Sequence, residues 1–243
     1  MRIADIAYEV EGREMVGMLA VDEYRPGPRP TVLVCHEGPG LEGGVRGRAI
    51  RLAAMGCCVF ALDYQGGGVM REPRDEAMAS LARLMADRSL AVTYGRAGLE
   101  QLLAQDQADP TRVAAIGYCF GGTLALELAR EGLDLKAIVG FHAGLPAPEQ
   151  SLTRRITGRV LVCLGADDPF VSDAARAAFE ADLTEAEVEG WRVDLYGGVG
   201  HSFTNVMVDQ LGLPGLAYDA RADRWSWHAA VSLLEETIGP LDR

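Results

Sequence analysis

Short apolar runs alternate with longer amphipathic segments along most of the 243 residues. MRIADIAYEV alternates like a strand, and the separation of residues 3–10 from 14–21 by Glu11-Gly12-Arg13 reads as an N-terminal antiparallel hairpin. Pro26, Pro28 and Pro30 mark a loop into TVLVC at 31–35, a continuous apolar run of the buried-strand type. A Gly-rich turn, HEGPGLEGG, leads to a helix reaching about residue 55, and CCVFALDY at 57–64 reads as a second buried strand. The segment 66–90 opens with three glycines and carries Pro73, so it reads as an excursion with a short helix near 75–86. A longer helix follows to about residue 105.

Beyond Asp109-Pro110 the rhythm tightens. RVAAIG (112–117) predicts a strand, TLALELAR (123–130) a helix, and KAIVGF (136–141) and RVLVCLG (159–165) two more strands. A helix is expected over 172–187 with Ser172 as its N-cap, then the strand WRVDLY (191–196). The last helix is expected over 225–238, with Trp225 and Trp227 opening it as packing residues. Apolar strands without strict alternation suit a mostly parallel central sheet with helices on both faces. No repeat or composition break interrupts the pattern, which predicts one α/β domain over 1–243 with 66–90 as a candidate cap.

Charge and cysteine count narrow the function classes. Lys+Arg total 23 against 35 Asp+Glu, a net charge of −12, and such a surface argues against nucleic acid as a partner. No stretch approaches the ~18 consecutive apolar residues of a membrane span, so no membrane association is expected. The five cysteines, Cys35, Cys57, Cys58, Cys119 and Cys163, are odd in number and lack paired spacing. With no secretory signal at MRIADIAYEV, they predict a reduced, cytoplasmic protein without disulfides.

The densest chemistry lies in RVAAIGYCFGGTLALELAR. The strand ends at Gly117, the helix begins after Phe120, and Cys119 stands at the bend of Gly117-Tyr118-Cys119-Phe120-Gly121. This is the G-x-nucleophile-x-G elbow with cysteine in the usual place of serine, and its glycines permit the tight turn. The bend sets the sulfur at a helix N-terminus, whose partial positive charge favours a thiolate. A free cysteine is by default a small buried hydrophobe, and here the flanking glycines argue for chemistry instead. Cys35, Cys57, Cys58 and Cys163 fall in or beside predicted buried strands and read as packing thiols.

A base and an orienting acid are expected in the chain order nucleophile, acid, His. His201 follows the last strand on the Gly-rich loop LYGGVGHSF, where the base belongs. His142 ends KAIVGF and borders the expected site, while His228 falls within the last helix. GADDPFV (165–171) offers Asp167 and Asp168, and the G-x-x-D spacing from Gly165 selects Asp168. Its task would be to fix the tautomer of His201 and stabilise its positive charge.

The segments GYCFGG (117–122), GADDPFV (165–171), GHSFTN (200–205) and CHEGPG (35–40) together resemble the dienelactone hydrolase family. Its members have the α/β-hydrolase fold, and the resemblance extends over nearly the whole chain. It implies an ester or lactone hydrolase with Cys119, Asp168 and His201 as the catalytic triad. It also implies that Glu37 occupies the place of a glutamate that interacts with the resting thiol and helps to activate it. The family's oxyanion hole corresponds to the backbone N–H groups of Gly38 and Phe120. Family members that open dienelactone clamp its carboxylate with arginines, one of them in an HSFxR pattern. Here His201-Ser202-Phe203-Thr204-Asn205 carries Asn205 instead, and a neutral amide lacks the charged bidentate fork. The second arginine would come from 66–90, which contains Arg71, Arg74, Arg83 and Arg88. The missing arginine argues against dienelactone itself and leaves ester or lactone hydrolysis intact.

The expected partner is therefore a small-molecule ester or lactone, attacked by the Cys119 thiolate to give an acyl-enzyme. Tyr64, His142 and Asn205 are candidates for substrate contact, whereas Leu81, Leu84 and Met85 read mainly as packing residues. No metal or organic cofactor is expected, because HEGPG lacks metal-ligand spacing and the Gly-rich turns lack the Lys-Ser/Thr of a phosphate loop. The rival reading is a non-catalytic or redox-active thiol protein on a hydrolase scaffold, and a third is acyl transfer to an acceptor other than water. No C-x-x-C pair supports the redox alternative.

Overall fold

Along the central strands successive side chains divide between two cores, as the two-residue strand period requires. In the computed structural model, which describes residues 1–242, Leu33 and Cys35 enter one core and Val32 and Val34 the other. Val113 and Ala115 separate from Ala114 and Ile116 in the same way. The central stretches of these strands, 32–35 and 113–116, are apolar at every position because both faces of the sheet are covered.

The chain opens with a hairpin of β1 (Arg2–Val10) and β2 (Arg13–Val21). Then come β3 (Arg29–Cys35), α1 (Gly43–Ala54), β4 (Cys58–Ala61), α2 (Arg74–Ala86), α3 (Arg88–Leu103) and β5 (Ala108–Tyr118). The second half comprises α4 (Phe120–Arg130), β6 (Ala137–Phe141), α5 (Gln150–Thr153), β7 (Arg159–Gly165), α6 (Asp173–Glu185), β8 (Arg192–Tyr196) and α7 (Ala220–Ile238). The strands form one eight-stranded sheet in the order β1-β2-β4-β3-β5-β6-β7-β8. The hairpin is antiparallel, β2 joins β4 antiparallel, and every pairing from β4 to β8 is parallel. Helices α2, α3, α4 and α6 bury apolar residues in one core, and α1 and α7 in the other. Among the described residues no helix is long and apolar enough to cross a membrane.

This topology fixes where a site can form. From β3 the chain crosses to β4 on one side and later enters β5 on the other, so the strand order reverses beside β3. A crevice opens outside the carboxyl ends of strands at such a reversal. Cys35, Gly117 and Gly140 are aligned there across β3, β5 and β6, so the segments after them converge.

Three boundaries differ from the sequence pattern, each for a local reason. β4 stops at Ala61 because the Asp63 carboxylate accepts from the N–H groups of Gln65, Gly66 and Gly68 and curls the chain. β5 starts at Ala108, ahead of Pro110, across a register break that lets the strand carry a proline. α7 starts at Ala220, capped by the Asp219 carboxylate on the N–H groups of Arg221 and Ala222. Trp225 and Trp227 therefore lie inside this helix, Trp227 buried and Trp225 half exposed. The short α5 and a 3-10 turn at Val208–Leu211 have no periodic signature in the sequence.

Candidate active site

Cys119 is the hinge between β5 and α4, with φ 53° and ψ −123°, backbone angles that few non-glycine residues adopt. The glycines around it are sterically required. A Cβ on Gly117 would sit 2.0 Å from the Gly121 oxygen, and one on Gly121 would sit 2.3 Å from the His36 oxygen. The strained turn is held by its own N–H, which donates to the Phe141 oxygen at 2.9 Å and to His142 Nδ1 at 3.1 Å.

His201 stands opposite. Its loop is pinned by the His201 N–H on the Gly215 oxygen (2.8 Å) and by Asp167 N–H on the Val199 oxygen (2.9 Å). His201 Nδ1–H donates to Asp168 Oδ2 at 2.7 Å, and Nε2 lies 3.2 Å from Cys119 Sγ. The second Asp168 oxygen accepts the Phe170 N–H at 2.9 Å, which fixes the carboxylate plane. Asp168 is buried and Asp167 is exposed, so the two neighbouring acids have opposite environments. Burial works against an imidazolium at His201, but the hydrogen bonds to Asp168 and Cys119 outweigh it and push the pKa up to about 10.

Glu37 follows β3 and lines the same cavity. Its Oε2 accepts from Asn205 Nδ2 at 2.9 Å, and its Oε1 lies 3.8 Å from His142 Nε2. Burial pushes its carboxyl up to about 7, against the smaller opposing effect of the Asn205 hydrogen bond. Among the described residues no hydrogen bond joins Glu37 to the Cys119 sulfur. Gly38 lines the cavity with Cys119, Phe120 opens α4, and among the described hydrogen bonds neither backbone N–H donates to another group. Gly38 itself is pressed against Leu81, whose Cδ2 would lie 2.4 Å from an added Cβ.

Two residues expected to touch substrate do not reach the cavity. Tyr64 is buried, stacks on His36 with ring centroids 3.6 Å apart, and donates its hydroxyl to the His36 and Glu37 carbonyls. It braces the glutamate loop from behind, aided by Gln65 Nε2 on the Gly38 oxygen at 2.7 Å. His142 is fully buried with φ 40°, and its Nδ1 accepts from the elbow while Nε2–H donates to Thr204 Oγ1 at 2.8 Å. Burial and the nearby His201 hold its pKa well below the usual imidazole value, so it remains a neutral spacer. Asn205 does line the cavity, with its amide engaged by Glu37.

The cavity above Cys119 has a volume of about 390 Å³. Its walls come largely from residues that sequence periodicity did not single out: Met70 and Met78 from the 66–90 segment, Phe170 after Asp168, and Val208, Leu211 and Leu213 after His201. The available signal was the apolar character of 206–216, a non-periodic loop where polar residues are the norm. Leu81 lines the cavity, whereas Leu84 packs in the core and Met85 faces solvent. Of the four arginines in 66–90, Arg71 and Arg74 line it, and Arg88 is paired with Glu127 and Glu131.

A family model described as the dienelactone hydrolase family matches residues 15–238. A solved structure named m3DLH is 40% identical, with a TM-score of 0.92 over 98% of this chain and 99% of that one. A dienelactone hydrolase-like promiscuous phosphotriesterase from metagenomic libraries is 38% identical, with a TM-score of 0.93 over the same shares. A carboxymethylenebutenolidase of a Pseudomonas species is 30% identical over 166 residues, 64% of this chain and 69% of its own length.

Proposed function

The chain belongs to the dienelactone hydrolase family, and from that membership we propose that it hydrolyses carboxylic esters or lactones through a thioester acyl-enzyme on Cys119. The observation that carries this reading is the unbroken line Cys119 Sγ, His201 Nε2, His201 Nδ1, Asp168 Oδ2, with contacts of 3.2 and 2.7 Å. Nucleophile, base and orienter stand in hydrogen-bond reach of one another at the floor of an open cavity.

Sulfur attacks the carbonyl carbon as the thiolate, while His201 Nε2 holds the proton. The carbonyl oxygen takes the negative charge, and the Gly38 and Phe120 N–H groups are its donors. The C–O bond to the leaving group then breaks, and His201 gives the proton to the departing alkoxide. Water enters, gives a proton to His201 and adds to the thioester carbonyl. Collapse expels the thiolate, His201 keeps the proton, and the products are one acid and one alcohol. Asp168 keeps Nδ1 protonated throughout and stabilises the imidazolium of each step. The 66–90 segment acts as one wall of the site rather than as a separate unit.

Cys119→Ala and His201→Ala are each expected to abolish turnover of short activated esters while leaving the circular dichroism spectrum unchanged. Wild-type turnover by Cys119→Ala would sink the nucleophile assignment. A second reading, phosphotriester hydrolysis by the same nucleophile, is favoured by the 38% identical promiscuous phosphotriesterase. A phosphotriester assay on the same variants tests it. The redox alternative draws less support, because no C-x-x-C pair accompanies Cys119.

A further inference from the structure

The walls and rim of the cavity above Cys119 differ from its floor. Met70, Met78, Phe170, Leu211 and Leu213 converge on it from three separate segments, and each is exposed by between 41% and 65%. Large apolar side chains gathered around one opening mark a binding surface for an apolar group. Phe170 also stands edge-on to the His201 ring at 4.8 Å, so the apolar surface reaches the reacting centre. The volume of about 390 Å³ exceeds the ~150 Å³ cavity that holds a benzene ring, which leaves room for an ester beside it.

Charge around the cavity disfavours an anionic substrate. The floor holds the Glu37 carboxyl, and the Asn205 Nδ2 donor beside it is already engaged by that carboxyl. Arg71 donates to the Gln65 oxygen at 3.0 Å and reaches Glu76 at 3.5 Å, so its guanidinium is turned to the protein. Arg74 sits at the exposed rim in the company of Glu72 and Glu42. The net charge of −12 repels approaching anions as well.

We infer that the site takes uncharged esters or lactones carrying a bulky apolar group, aryl or medium-chain alkyl, and that Met78 and Phe170 determine this preference. The inference rests on the hydrolase reading given above and goes beyond it in naming the substrate class.

The test compares p-nitrophenyl hexanoate with mono-p-nitrophenyl adipate, which differ by a terminal carboxylate, alongside the acetate and butyrate esters. The expected kcat/KM rises about twofold to fourfold per methylene from acetate to hexanoate. It is expected to fall at least ~50-fold on passing to the adipate ester. Met78→Lys, at an exposed helix position, is expected to shrink the hexanoate-to-adipate ratio at least ~10-fold. Equal or better turnover of the adipate ester, no dependence on chain length, or an unchanged ratio in Met78→Lys overturns the inference, provided turnover is lost in Cys119→Ala. Turnover that survives in Cys119→Ala, or no turnover of any ester, overturns the hydrolase reading itself.

Discussion

Asn205 donates from Nδ2 to Glu37 Oε2 across 2.9 Å, which ties the loop after His201 to the loop after β3. The resting thiol meets a different partner, His201 Nε2 at 3.2 Å. Glu37 and the Cys119 thiol are thus held separately, whereas the resemblance to the family implies contact between them at rest. The arrangement leaves a buried carboxyl with a single amide donor, too little to offset its desolvation.

That imbalance has a sign. The Glu37 carboxyl ionises near 4.5 in an unfolded chain and near 7 in the folded one, so its burial costs stability as pH rises between those values. Glu37→Gln keeps an oxygen for Asn205 and removes the ionisation. The variant is expected to be more stable than the wild type by about 3 kcal/mol at pH 8 and by less than about 1 kcal/mol at pH 5. Urea denaturation at the two pH values measures this, and an equal gain at both would contradict the assigned cause.

The two adjacent aspartates are expected to behave differently. Asp168→Asn removes the acceptor that fixes the His201 tautomer and is expected to lower kcat by about 10³–10⁴-fold. Asp167→Asn alters an exposed side chain and is expected to leave kcat within about twofold. Steady-state kinetics on both variants decides between them; equal, small losses would remove Asp168 from the mechanism.

His142 is expected to act on position rather than on substrate. It spans from the Cys119 N–H to Thr204, three residues beyond His201, and does not line the cavity. His142→Asn preserves a residue type that tolerates φ near 40° while deleting the ring. A kcat loss of about 10–100-fold with KM within about threefold is expected, because small misplacements of reacting groups are costly. A lowered melting temperature with unchanged kcat would reduce His142 to a packing residue.

Much of this architecture is legible in the sequence because its signals are local. The glycines at 117 and 121 announce the elbow, and the apolar runs of β3, β5, β6 and β7 announce a sheet covered on both sides. Ser172 is recognisable as a cap and does accept the Ala175 N–H. Tyr64 and His142 turn away from the cavity, and the sequence hides this because proximity to a strand end says nothing about which way a side chain turns. Only the folded chain brings the Tyr64 hydroxyl to the Glu37 carbonyl, 27 residues away, and His142 to Thr204, 62 residues away. The cavity walls stayed hidden for a related reason: Met78 lies on a helix whose inner and outer faces carry similar residues, and Leu211 and Leu213 sit in a loop with no period.

The most direct test of the central claim is mass spectrometry of the enzyme quenched during turnover of an activated ester. The account predicts that intact protein gains the mass of one acyl group, that the adduct maps to Cys119 as a hydroxylamine-labile thioester, and that it accumulates in His201→Ala if acylation by the activated ester outlasts the loss of the base. Ester turnover with no adduct on Cys119, or with the acyl group on another side chain, would contradict it.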